Sequence, residues 1–325
     1  MPELPEVEVL ARHLRPLLRG QTIRGVTVRR AKVLRPTRPE KFRRTLLGAK
    51  FIGLSRRGKY LLFQLRAKTG GNPNVLSKND KRPLAPSLSP PGGKGVAEGR
   101  VRGIHIGLKA NQYKPIFLLG HLGMTGRIFL ARKNLRLPKH AAVVLDLGAN
   151  NLVYEDTRYF GRLTLDTSAV NRLGPEPLDD GFKAETFVQL LKRSRQAIKV
   201  KLLDQKLVAG IGNIYASEAL FRARLSPKLA ANKLTAIQVR RLRLAICAVL
   251  AEAIKCGSTV PLNLGGDKTD GLFYFGRAPG APDFYEERLR VYDRAGQPCP
   301  HCGHLIERIT QAARSTFYCP HCQRA

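Results

Sequence analysis

Tryptophan is absent from this 325-residue chain, methionine occurs twice, and 9 Tyr and 13 Phe are thinly spread, so composition offers no platform for stacking on planar ligands. Acidic residues are scarce as well: 24 Asp and Glu face 57 Lys and Arg, leaving a formal charge of +33. No apolar run reaches the ~18 residues that a membrane-spanning helix requires. No hydrophobic leader precedes the first acidic residues either. Of six cysteines, four crowd the end of the chain, a pattern that does not suggest a disulfide framework, and a reducing cytosol is expected.

What is present in excess is positive charge. Such a surplus favours a polyanionic partner held by counterion release, and without a membrane segment that partner is nucleic acid. The length allows two domains and a small module.

The chain opens Met1-Pro2-Glu3-Leu4-Pro5-Glu6-Val7-Glu8. A small second residue favours removal of Met1, which would leave Pro2 with a free secondary amine. Near pH 7.5 roughly a third of ordinary α-amines are neutral, against roughly 0.1% of lysines. A neutral amine can attack an electrophilic carbon to form a Schiff base, and Glu3 beside it can serve as proton donor or acceptor. The same residues also read as a helix start. Pro5 suits the first turn, Glu6 and Glu8 suit the positive end of the helix dipole, and Val7, Leu10, Leu14, Leu17 and Leu18 recur at helical spacing.

Residues 22–65 carry short β-rich runs, 22–28, 50–54 and 59–65, which suggest an antiparallel sandwich or barrel. Arg56-Arg57-Gly58-Lys59 enters the third run as either a solvated edge or a phosphate clamp. Residues 67–100 are basic and rich in Gly, Pro and Ser, and read as a disordered insertion that tethers the chain to DNA. An edge strand is expected over 101–108, a buried strand over 116–119, a hairpin around 148–150 and a further strand at 162–165. At Leu173-Gly174-Pro175-Glu176-Pro177-Leu178 the pattern changes to helical, with helices expected over 187–192, 200–207, 214–223 and 235–254. Between the second and third, Gly210-Ile211-Gly212 opens onto a helix N-terminus, either as a phosphate seat or as a tight turn. Residues 257–284 read as a long loop. The expected division is 2–172, a hinge at 173–182, then 183–284 and 285–325.

Cys299-Pro300-His301-Cys302 and Cys319-Pro320-His321-Cys322 form two Cys-x-x-Cys knuckles separated by sixteen residues. That spacing matches a tetrahedral site for one structural zinc ion held by Cys299, Cys302, Cys319 and Cys322. His301 and His321 could compete as ligands, but four thiolates complete the set. A β-hairpin is expected between the knuckles, with Gln311, Arg314 and Thr316 at or near its tip.

Taken together these motifs resemble bacterial formamidopyrimidine-DNA glycosylases. The resemblance rests on the opening Pro2-to-Glu8 segment, His121-Leu122-Gly123-Met124, Asp156-Thr157-Arg158-Tyr159-Phe160-Gly161, the 173–178 segment, Gly212-Asn213-Ile214-Tyr215-Ala216-Ser217-Glu218 and the cysteine cluster. It implies an α+β chain of several domains: an antiparallel β-sandwich with a leading helix, a helix–two-turn–helix domain with a lesion-capping loop, and a zinc-finger hairpin. It further implies a base-excision-repair glycosylase and AP lyase that removes 8-oxoguanine and formamidopyrimidines from double-stranded DNA, working as a monomer with no membrane partner. Pro2 would be the nucleophile, Glu3 the acid/base and Lys59 a phosphate-binding lysine beside them. His121, Met124, Arg158, Phe160, Asn213 and Arg314 would contact DNA, with Met124 and Phe160 filling the hole left by the extruded nucleotide and Arg158 facing the orphaned base. Tyr159 stands where a basic residue is expected, the 257–284 stretch is longer than expected, and the basic insertion has no counterpart. Two other readings share these features: an endonuclease VIII-like glycosylase for oxidised pyrimidines, and a non-catalytic zinc-containing DNA-binding protein.

Overall fold

The structure, a computed structural model, describes residues 2–67, 115–256 and 289–324. Most of the basic insertion, the edge strand expected over 101–108 and the 257–284 loop lie outside those residues. Helix α1 (Leu4–Leu18) leads the chain, with Val7, Leu10, Leu14 and Leu18 buried and Leu17 turned partly outward. It packs against a sandwich of two antiparallel four-stranded sheets. One sheet takes β1 (Gly25–Val28), β6 (Ala141–Asp146), β7 (Asn150–Glu155) and β5 (Arg127–Arg132) in that order. The other takes β2 (Lys50–Arg57), β3 (Tyr60–Arg66), β4 (Pro115–His121) and β8 (Arg162–Thr164). Alternation is clear on β3, where Leu61, Phe63 and Leu65 are fully buried between half-buried neighbours.

A second helix, α2 (Pro39–Leu46), was not evident in the β-rich reading of residues 22–65. Its signals are Pro39 in the first turn, Glu40 near the positive end of the dipole, and Phe42 and Leu46 one turn apart, both fully buried.

Helices α3 (Ala184–Lys192), α4 (Ile198–Leu202), α5 (Asn213–Arg222) and α6 (Ala236–Lys255) surround a second core. The helix expected over 200–207 is shorter and earlier than its apolar pattern suggested. Asp204 ends it by accepting the backbone N–H of Lys206 at 2.9 Å and by pairing with Lys201 at 2.8 Å. α4, the turns over 203–212 and α5 form the helix–two-turn–helix. Two strands, β9 (Glu307–Gln311) and β10 (Arg314–Tyr318), make the terminal hairpin, closed by Ala312 and Ala313 with positive φ. Arg314 is exposed at its tip, whereas Thr316 is fully buried and so cannot serve as a surface probe.

The hinge is held by a carboxylate. Glu176 accepts from Arg56 at 2.7 Å, Arg57 at 2.7 Å and the Gly58 backbone N–H at 2.5 Å. Arg56 also pairs with Glu8 of α1 at 2.8 Å, and Arg57 donates to the Gly174 carbonyl at 2.6 Å. These arginines are therefore neither a solvated edge nor a phosphate clamp: they are spent on joining the β2–β3 turn to the hinge. Replacing Glu176 with Ala would leave the nearly buried Arg56 with Glu8 as its remaining carboxylate and take from Arg57 and the Gly58 N–H their common acceptor. The expected loss is about 3 kcal/mol in denaturant unfolding, with Glu176→Gln falling between. A loss below about 1 kcal/mol, the scale of a surface pair, would show that the hinge is held elsewhere.

Candidate active site and nucleic-acid interface

The site is built where α1 meets the helix–two-turn–helix. Glu3, just before α1, is almost completely buried, and its carboxylate sits on the N-terminus of α5. It accepts backbone N–H groups from Gly212 at 2.6 Å, Ile214 at 2.9 Å and Tyr215 at 3.4 Å. The anion on this helix end is thus a side chain of the protein, not a phosphate. Gly212 has to lack a side chain, because a Cβ there would fall 2.3 Å from the Glu3 carboxyl carbon. The Glu3 N–H is taken by Glu6 at 2.7 Å, and Glu6 in turn accepts from the Tyr215 hydroxyl at 2.6 Å. Leu4 donates its N–H to the Gly210 carbonyl and buries its side chain in the helical core. Pro2 is half-buried at the head of this assembly.

Burial raises the Glu3 carboxyl above its ordinary range. Lys59 and the backbone donors oppose that shift, and nearby Glu6 adds to it. Lys59 is buried in the same region, and burial lowers its ammonium, with Glu3 and Glu6 opposing and Arg314 of the hairpin reinforcing. Among the described residues the Lys59 ammonium has no hydrogen-bond acceptor. A second buried lysine, Lys199 on α4, is pushed down to about 8 by burial and by Arg314. It donates to the Asn213 side-chain oxygen and, at 3.4 Å, to the Ser315 carbonyl. The Asn213 side-chain NH₂ reaches that same carbonyl at 2.8 Å, tying α5 to the hairpin that carries Arg314. Lys199 was not singled out in the sequence, since its flanks mark it only as part of a short helix.

A second group forms on the sandwich. Asp156, fully buried, accepts from Thr125 at 2.7 Å and from the backbone N–H of Gly161 at 2.8 Å and of Arg158 at 3.1 Å. This presses the 156–161 turn onto the 121–126 turn so closely that a Cβ on Gly123 would lie 2.6 Å from the Gly161 nitrogen. Met124 and Phe160 then stand out as apolar side chains 45% and 53% exposed. The Arg158 guanidinium lies 4.9 Å from the centre of the Phe160 ring and 3.7 Å from the Met124 sulfur. The three residues expected to enter the duplex are therefore one cluster. Tyr159 has φ +54° and packs inward against the sandwich, with Arg30 donating to its hydroxyl at 3.3 Å.

The His121 ring lies 4.7 Å from that of Tyr60, tilted by 37°, and is pushed down to about 4 by burial, helped by Lys59 and Arg162. Its Nδ1 accepts the Gly123 N–H at 3.2 Å, so the proton of the neutral ring is assigned to Nε2.

In the hairpin module, Cys299, Cys302, Cys319 and Cys322 converge. Sulfur–sulfur distances of 3.9, 3.5 and 3.3 Å approach the edge of about 3.8 Å that a tetrahedron with Zn–S of about 2.3 Å requires. The four thiolates fit one structural zinc ion, and His301 and His321 stand outside the set.

Residues 1–163 match the model of the formamidopyrimidine-DNA glycosylase N-terminal domain, 173–262 the formamidopyrimidine-DNA glycosylase H2TH domain, and 296–325 a zinc finger found in FPG and IleRS. The chain belongs to the formamidopyrimidine-DNA glycosylase family. The formamidopyrimidine-DNA glycosylase of Thermus thermophilus is 37% identical over 99% of this chain and 98% of its own length. That of Desulfitobacterium hafniense is 35% identical over 99% and 100%. A Lactococcus lactis Fpg (MutM) solved with N7-benzyl-Fapy-dG DNA superposes with a TM-score of 0.75 at 28% identity, covering both chains completely. A MutM solved with carbocyclic 8-oxo-G DNA gives 0.74 at 29%, again over both whole chains. Family membership makes this protein a DNA glycosylase with AP lyase activity, built on the expected α+β fold and carrying a zinc-finger domain. Among its described residues no helix is long and apolar enough to cross a membrane.

Burial of a neutral His121 makes folding depend on pH. Between an ordinary value near 6.5 and the folded value of about 4, the unfolded chain binds a proton that the folded chain does not. His121 therefore contributes stability in full above about pH 6.5 and loses it as pH falls toward 4. Imidazole nitrogen NMR should show a neutral Nε2–H ring throughout pH 5–8. A titration midpoint near 6.5 would refute its burial as the cause.

Proposed function

We propose that this glycosylase removes oxidised purines, 8-oxoguanine and formamidopyrimidines, through the N-terminal amine of Pro2. The observation that carries the reading is the placement of Glu3, buried, held by three backbone N–H groups and coupled to Lys59, immediately next to Pro2. Once Met1 is removed, the Pro2 nitrogen is a secondary amine; with Met1 attached it is an amide and inert. The amine bonds to C1′ of the extruded nucleotide as the bond from C1′ to the base breaks, and the departing base takes up a proton. Glu3 takes the proton that the Pro2 nitrogen sheds and, its carboxyl raised by burial, passes it to the sugar ring oxygen as the ring opens, leaving an iminium between Pro2 and C1′. Loss of a C2′ proton expels the 3′ phosphate, and a second elimination expels the 5′ phosphate.

The surrounding residues fit that sequence. Lys59, whose ammonium has no acceptor among the described residues, is suited to a backbone phosphate, as is the exposed Arg314. Asn213 stands on the first turn of α5 between Lys199 and the hairpin that carries Arg314, and the neutral His121 offers Nε2–H. Met124 and Phe160 supply apolar wedges for the emptied stack and Arg158 a planar set of donors for the orphaned base. Relatives solved with lesion-containing DNA support the partner and the purine reading, and one of them holds an oxidised pyrimidine. Purine and pyrimidine lesions are therefore to be assayed side by side.

Borohydride should trap a covalent adduct with 8-oxoguanine duplex, and peptide mapping should place it on Pro2. An active, Met1-free preparation that yields no adduct would rule out the amine route. Glu3→Gln should cut base excision by about 100-fold or more while DNA binding persists. Unchanged excision would remove Glu3 from the chemistry.

A further inference from the structure

The zinc knuckles carry a second group of metal-ligating side chains that the structural ion does not use. Cys302 Sγ and the ring nitrogens of His304 and His321 lie within 4.8 Å of one another. Both imidazoles are exposed, and Cys302, unlike the buried Cys299 and Cys319, is partly open to solvent. The rings stack at 4.1 Å with planes 9° apart, and neither ring makes a hydrogen bond among the described residues. His301 differs: it turns away, its Nε2 3.0 Å from the Arg224 guanidinium.

We propose that Cys302, His304 and His321 form a second, exchangeable metal site in which the Cys302 thiolate is shared with the structural zinc. The donor set of one thiolate and two imidazoles suits a borderline or soft ion such as Zn²⁺, Co²⁺ or Cu⁺. Four thiolates around one Zn²⁺ leave a formal charge of about −2, so the cluster attracts a further cation even in a strongly basic chain. A zinc-bound thiolate keeps lone pairs and can bridge. Ligands at about 2.0–2.3 Å from a common ion stand closer together than 4.8 Å, and parallel rings cannot both aim lone pairs at one point. Binding therefore turns one imidazole out of the stack, a rotation that two exposed side chains make without disturbing a buried contact. An ion held there draws on a ligand of the structural zinc, which makes the Arg314 hairpin sensitive to thiophilic ions.

Full-length protein loaded with one zinc should be titrated with Co²⁺, with a chromophoric chelator reporting any zinc set free. The expected result is one further equivalent of Co²⁺, a thiolate-to-cobalt charge-transfer band, and no zinc release. His304→Ala and His321→Ala should each weaken that binding by roughly tenfold or more, at least the cost of losing an outer-sphere partner. Both should retain one zinc per chain, and His301→Ala should bind Co²⁺ like the parent. A charge-transfer band that grows only as zinc is released would mean simple replacement and overturn the proposal. So would a band that survives in the doubly substituted His304→Ala, His321→Ala protein, a titration with no band, or loss of the structural zinc from either single variant.

Discussion

Everything at the site depends on one anion placed on one helix end. The Glu3 carboxylate closes the N-terminus of α5, and in doing so it joins the β-sandwich to the helical domain across more than 200 residues of sequence. The contact admits little variation, since Gly210 and Gly212 both lie where a Cβ would meet Leu4 or Glu3 at 2.3–2.6 Å. Leu4 carries the same junction into the helical core while Val7 and the following residues of α1 belong to the sandwich core. Preorganisation of this kind holds a reacting group in place without reorganisation when the substrate arrives.

α5 then passes that geometry to the zinc module. From its first turn Asn213 reaches the hairpin, and from its far side the buried Glu218 accepts three successive backbone N–H groups, from Arg290, Val291 and Tyr292, at 2.8–2.9 Å. Pro2, Arg314 and the hairpin cysteines are thereby referred to a single short helix. Lys59 and Lys199 are both depressed by burial and by the Arg314 charge, a repulsion that a phosphate held among them would relieve.

Strong spacing signals were legible along the chain. Two Cys-x-x-Cys knuckles specify a tetrahedral site because the metal imposes its own geometry, and β3 and α1 show their periods because each buries one face. Weaker signals misled. The apolar run over 200–207 looked helical, yet Asp204 offers the backbone a competing turn. Arg56 and Arg57 read as a solvated edge or a phosphate clamp because charge alone does not reveal whether a carboxylate such as Glu176 will be folded against it. Lys199 gave no sign at all, since its burial comes from packing between α4, α5 and the hairpin.

Composition and local spacing pointed to a polyanionic partner, to the cysteines that could hold zinc and to the order of β-sandwich, helices and hairpin, because each of these depends on neighbours in sequence or on summed charge. Folding alone decided that the Gly210–Gly212 turn seats Glu3 instead of a phosphate, and that Met124, Arg158 and Phe160 share one exposed cluster. These outcomes rest on contacts between segments 30 to more than 200 residues apart. Which carboxylate reaches which helix end is a question of three-dimensional distance, and the linear pattern of residues does not contain it.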